Sequence, residues 1–175
     1  GCMTACTILY ASFYGSTKEY ADELAKRLGT AAEPIPDADF NPEGPIVVLA
    51  PIHGPNNPGA SFIGKLPDPL FDAHSVSLVT VGMSLDEVAV DKDFSAKLLG
   101  SRADSVTRFY LPGRMNYSEL SAAHAATMAG VVGALRLKPR KSANDRMMID
   151  TYNKAVDRVD FTRLAPVEAW ERERM

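Results

Sequence analysis

The sequence predicts an α/β protein, a three-layer sandwich with a five-stranded parallel sheet in the middle. Three observations carry this expectation. Short apolar runs alternate with segments of helical periodicity over roughly the first two thirds of the chain. Ile46–Ala50 is apolar without alternation, as suits a strand buried on both faces of a parallel sheet. The runs end in Gly, Ser or Pro before the next helical pattern begins.

Taken in order, residues 6–11 (Cys-Thr-Ile-Leu-Tyr-Ala) read as the first strand. After a polar turn, Ala21, Leu24, Ala25 and Leu28 recur at helical spacing, with Lys18, Asp22, Lys26 and Arg27 on the other face and Gly29 placed to end the helix. A weaker second strand falls around 31–35, and the third is 46–50. Residues 51–59 hold three prolines and two glycines and read as a loop of fixed shape, followed by a short helix around 59–65 and a turn at Pro67-Asp68-Pro69. The fourth strand is 76–81. Leu85, Val88, Phe94, Leu98 and Leu99 then suggest helical turns closed by Gly100, and the fifth strand is 106–111. From there the alternation stops. Residues 118–137 read as one helix and 143–159 as another, with Met148, Tyr152, Ala155 and Val159 on one face; Pro166 begins a last helix carrying Val167 and Trp170. The whole is read as a single domain over 3–175, with a helical insert at about 118–160.

Composition narrows the function classes. Of 175 residues, 46% are hydrophobic and 23% charged, which is ordinary for a globular chain. A net charge of −3 argues against nucleic-acid binding driven by bulk charge. The two cysteines, Cys2 and Cys6, can build neither a disulfide framework nor a zinc cage, so no metal is expected and a reducing cytoplasm fits best. The chain shows no leader pattern and no apolar run long enough to span a membrane.

In an open parallel sheet, ligands bind beyond the carboxyl ends of the strands. The loops to inspect are therefore 12–17, 51–59, 82–86 and 112–117. The first is the most informative. Ser12, Ser16 and Thr17 place three aliphatic hydroxyls around Gly15 where a strand passes directly into a helix. Unpaired N–H groups at a helix start, with the positive end of its dipole and hydroxyl donors, make an anion cradle that suits a phosphate monoester. The plain alternative is an ordinary capped helix start. Neither Gly-x-Gly-x-x-Gly nor Gly-x-x-x-x-Gly-Lys is present, which argues against a dinucleotide fingerprint and a P-loop.

Ser12-Phe13-Tyr14-Gly15-Ser16-Thr17 resembles the flavodoxin phosphate loop, Ser/Thr-x-Thr-Gly-x-Thr: Ser12, Gly15 and Thr17 match, and Tyr14 stands where the pattern has threonine. The element order over roughly 5–113 also resembles the flavodoxin-like fold, which implies strand order 2-1-3-4-5. Gly113-Arg114-Met115-Asn116-Tyr117, the helix-rich insert, and Trp170 opening a final helix are more loosely similar to the menaquinone-dependent protoporphyrinogen oxidase branch. The resemblance implies non-covalent FMN, its phosphate on 12–17 and its ring between the 51–57 and 82–86 loops. The cofactor set so implied is Ser12, Phe13, Tyr14, Gly15, Ser16, Thr17, Ile52, His53, Gly54, Gly82, Met83 and Tyr117. The 51–57 loop has no Trp or Tyr to stack on the ring, only His53, which suggests an open flavin face suited to a small molecule. Asp86 and Glu87 are a further possibility for a negative field near the ring.

The expected function is thus an FMN-dependent oxidoreductase that exchanges hydride or electrons with a small-molecule or protein partner, a quinone among the candidates, with no catalytic side chain assigned. Alternatives are a plain electron carrier and a binding module without FMN. His53 reads as a neighbour of the flavin rather than a catalyst, His74 as structural, and His124 as packed on a stripe with Leu120, Met128, Val131 and Leu135. The helix over 118–137 and the basic residues after it read as packing against the sheet edge or a second copy, ahead of contact with a membrane surface. Glu171 to Arg174 read as a solvated tail, and Met147 and Met148 as core fillers.

Overall fold

A computed structural model of the chain describes residues 5–11, 15–37, 39–52, 56–82, 95–115, 122–152 and 154–175. The first half runs β1 (Thr7–Tyr10), α1 (Ser16–Leu28), β2 (Ala32–Pro34), β3 (Ile46–Pro51), α2 (Pro58–Gly64), α3 (Asp68–Ala73) and β4 (Val76–Gly82). It continues with α4 (Ser95–Leu99), a 3-10 segment (Gly100–Ser105), β5 (Val106–Pro112) and β6 (Arg114–Met115). The last part holds α5 (Ala122–Leu137), α6 (Ala143–Thr151), β7 (Val156–Asp157), a second 3-10 segment (Phe161–Leu164) and α7 (Ala165–Arg174).

The five main strands form one sheet in the order β2-β1-β3-β4-β5, and every pairing in it is parallel. The register is continuous across the sheet: Ile8 lies beside Val47, Val47 beside Ser77, and Ser77 beside Thr107. All six residues of β3 are buried, because alternate side chains feed two separate cores. Val47 and Leu49 join Tyr20, Ala21 and Leu24 of α1 and Leu164, Val167 and Trp170 on one face. Ile46 and Val48 join Ala60, Ile63, Phe71 and Leu99 on the other. Helices therefore cover both faces, as the strand pattern predicts.

Several local expectations are revised. Pro67-Asp68-Pro69 opens α3 rather than forming a bare turn, since proline is tolerated in a first helical turn and Asp68 suits its positive end. The second helix of the insert stops at Thr151 instead of 159; the chain leaves it to form β7, which pairs antiparallel with β6. There Arg158 N–H donates to Gly113 O (3.1 Å), so a ladder outside the local periodicity wins. On α5 the buried position is Val132 (1% exposed), while Val131 of the expected stripe is 40% exposed; the side chain of His124 lies outside the described residues. Trp170 sits in the middle of α7, its Nε1–H bonded to Thr107 Oγ1 at 3.1 Å, and Pro166 occupies the first turn. Three residues of the basic run are tied to the insert. Arg136 lies over the Tyr152 ring, Lys138 Nζ donates to Asp145 Oδ2 (2.7 Å) and Lys141 Nζ donates to Lys138 O (2.8 Å). His74 meets Gly44 O through Nδ1 at 2.8 Å, at the end of the sheet away from the ligand loops.

Glu171 is the largest departure from the sequence reading. It is not part of a solvated tail; it is fully buried where α7 packs on the sheet. Neither carboxylate oxygen finds a hydrogen bond of full geometry among the described residues, and its polar neighbour there is the Cys6 thiol. Ser77, on β4, shares the strand parity of Val79 and Val81 and so faces the same layer; its hydroxyl is also buried without a partner among the described residues. Burial pushes the Glu171 carboxyl up to about 8 and, with Glu171 itself adding to the effect, the Cys6 thiol up to about 11.

A carboxyl whose value rises on folding contributes no penalty while protonated in both states, below about 4.5, and an increasing one as pH rises to about 8. The melting temperature is therefore expected to fall between those pH values, by an amount equivalent to a few kcal/mol at about 1.4 kcal/mol per pKa unit, and Glu171→Gln is expected to flatten the curve. Thermal melts of both proteins across that range check it. Separately, a Cβ on Gly59 would stand 2.8 Å from both Ala50 Cβ and Leu78 Cδ1. Gly59→Ala is expected to destabilise the fold by about 1–3 kcal/mol in urea unfolding, because α2 must lift from β3 and β4.

Candidate functional site at the carboxyl ends of the strands

Parallel pairing continues to the strand tips. Ala11 N–H donates to Leu49 O (2.9 Å), Ile52 N–H to Val81 O (3.1 Å) and Gly113 N–H to Gly82 O (2.9 Å). The segments that follow β1, β3, β4 and β5 consequently leave the sheet at one end. Of the predicted cofactor set, Gly15, Ser16, Thr17, Ile52 and Gly82 are brought together there. Ser12, Phe13, Tyr14, His53, Gly54, Met83 and Tyr117 lie outside the described residues, as do Asp86 and Glu87.

Gly15 makes the helix start possible. It holds φ 91°, a conformation that L side chains rarely adopt, and stands as the cap of α1 without a side-chain cap hydrogen bond of its own. Ser16 and Thr17, 6% and 2% exposed, follow as the first helical residues. The turn thus combines a helix N-terminus with two hydroxyl-bearing side chains set into the protein, and the donor chemistry fits a phosphate.

Two glycines let the neighbouring tips close in. A Cβ on Gly113 would lie 2.9 Å from Val81 Cγ1 and 3.4 Å from Ser16 Oγ, so the end of β5 is packed directly against the helix start. A Cβ on Gly82 would lie 2.8 Å from both Ile52 Cγ2 and Tyr110 Oη. Any side chain at either position would push these segments apart.

Three residues outside the predicted cofactor set brace this end. Tyr20, fully buried, donates its hydroxyl to Pro112 O and accepts from Asp160 N–H (2.9 Å), tying α1 to β5 and to the approach to α7. Burial holds its phenol above the usual range. Asn57 caps α2 by accepting from Gly59 N–H (3.0 Å) and Ala60 N–H (3.1 Å), and its Nδ2 donates to Thr80 Oγ1 (3.0 Å), fixing where the 51–57 loop rejoins the fold. The signal for it was available as Asn before Pro at a helix start. Arg114 bonds Glu19 of α1 through Nη1 (2.6 Å) and Asp157 of β7 through Nε (3.0 Å). Nothing local announces that pairing, since its partners lie 95 and 43 residues away.

Among the described residues no group of three or more His, Cys, Asp or Glu is placed to hold a metal ion, and no helix is long and apolar enough to cross a membrane. A family model described as a flavodoxin domain matches residues 7–142, which takes in all five strands of the sheet and the helix start just described. No curated protein matches the chain. Flavodoxin domains bind FMN, a phosphate monoester, and the donors at the start of α1 suit that group. The chain belongs to the flavodoxin-domain family and has the FMN-binding, electron-carrying type of function that goes with it.

Proposed function

We propose that this chain is an FMN-dependent oxidoreductase resembling the protoporphyrinogen oxidase branch, acting on a small molecule, with a quinone as the candidate partner. Bound FMN supplies reversible uptake of a hydride or of single electrons at its ring. The chain's own residues bind and orient it. Ser16, Thr17 and the first amides of α1 hold the phosphate, and Gly15 keeps that turn open to it. Ile52 and Gly82, at the tips of β3 and β4, border the ring, together with His53, Gly54, Met83 and Tyr117 in the adjoining loops.

The observation that carries the enzyme reading is the return of the insert to the ligand end. β7 pairs with β6 immediately after the tip of β5, and Arg158 and Arg114 tie that ribbon to Gly113 and to α1. The ribbon gives the site a wall on its β5 side, while the 51–57 loop brings no Trp or Tyr to cover the ring. A walled site with one uncovered ring face suits a small substrate that must enter. A carrier that docks on proteins is the second reading, and the choice between them turns on how the electrons leave.

Two measurements test this. FMN titration followed by flavin fluorescence is expected to give micromolar or tighter binding, weakened about 10- to 100-fold in Thr17→Ala through loss of a hydrogen bond to a charged group. Absence of binding by folded wild-type protein refutes the cofactor site. Stopped-flow mixing of the reduced holoprotein with a soluble quinone is expected to show reoxidation faster than that by a one-electron protein acceptor such as ferric cytochrome c. The reverse order supports the carrier.

A further inference from the structure

Arg114 takes no part in the phosphate cradle, yet it bridges two elements at its edge. Nη1 donates to Glu19 Oε2 (2.6 Å) and Nε donates to Asp157 Oδ2 (3.0 Å). All three side chains are partly exposed, so these ion pairs contribute little to global stability. Their placement is what matters. Glu19 stands in the first turn of α1, its N–H bonded to Gly15 O at 3.0 Å. Gly113, next to Arg114, packs on Ser16. The helix turn that offers N–H groups to a phosphate therefore also carries a carboxylate. That charge suits the helix dipole, but it opposes an incoming phosphate dianion.

We propose that Arg114 is a positioning residue for the FMN phosphate: held on the β6–β7 ribbon by Asp157, it pairs with and neutralises Glu19 so that the first turn of α1 accepts a dianion. A planar guanidinium can address two carboxylates in two directions at once, which a lysine cannot reproduce. The inference rests on the phosphate reading of the helix start and adds to it a charge-balancing partner from the insert.

The test compares the full-length wild type, Arg114→Gln, Glu19→Gln and the double variant, with FMN and riboflavin as probes. Riboflavin has the same ring and no phosphate. Arg114→Gln is expected to weaken FMN binding about five- to ten-fold and to leave riboflavin binding within about two-fold, with the FMN loss shrinking at high salt. Glu19→Gln is expected to tighten FMN binding alone, and the double variant is expected to recover the loss. Equal losses for both probes, or a double variant no better than Arg114→Gln, overturn the proposal, because a purely structural clamp behaves that way. Should Arg114→Gln fail to fold, Glu19→Gln decides: FMN binding that does not tighten overturns it. Wild-type protein that binds neither probe overturns the cofactor reading and this inference together. Wild-type binding with insensitive variants overturns this inference alone.

Discussion

The rest of the structure depends on β3 being buried on both faces. A strand whose alternate residues all lie in apolar surroundings needs two covering layers, and its backbone groups need a parallel neighbour on each side. β1 and β4 take those places, and β2 and β5 extend the sheet outward. Because every pairing is parallel, each crossover returns the chain to the same end of the sheet, and the loops that leave the strands accumulate at the other end. The ligand end is a consequence of that geometry before any side chain is chosen for it.

The two ends of the sheet are treated differently. At the ligand end, close approach is bought with small residues: Gly82 and Gly113 let strand tips touch Ile52, Tyr110, Val81 and Ser16. Polar groups there are tied to neighbours, as with Tyr20 and Asn57. At the opposite end, Gly44 at φ 65° lies so near Ala5 O that no side chain could be accommodated, and His74 closes on its carbonyl. Yet the α1–α7 layer also buries Glu171 and Ser77 without full partners among the described residues. A neutral acid is tolerable in such a place and an ionised one is not, so the last helix is docked by an interaction that weakens as the carboxyl loses its proton.

The segment after β5 departs from the strand–helix alternation of the sheet. Its helices α5 and α6 pack on each other, three of its basic residues engage Asp145, a backbone carbonyl and the Tyr152 ring, and its last strand returns to the tip of β5. An excursion that comes back to the ligand end changes the site's wall and its charge balance, while the sheet itself is left unaltered. Function in this fold is set by such additions rather than by the scaffold.

Much of the fold was legible in the residues. Strands 46–50, 76–81 and 106–111 and the first helix carry strong local signals, because burial on two faces or one stripe leaves a periodic trace. The hydroxyl-rich turn at 15–17 was legible for the same reason: a helix start after a strand is a local event. What only the tertiary structure decided are contacts between residues far apart. The register that sets Gly113 on Ser16, the pairing of Arg114 with Glu19 and Asp157, and the end of α6 in favour of β7 depend on which backbone groups meet in space. Glu171 is the clearest case. Residues after it in sequence are charged and read as a solvated tail, but the face of α7 that carries Val167 and Trp170 packs on the sheet, and Glu171, four positions after Val167, lies on that face whatever its polarity.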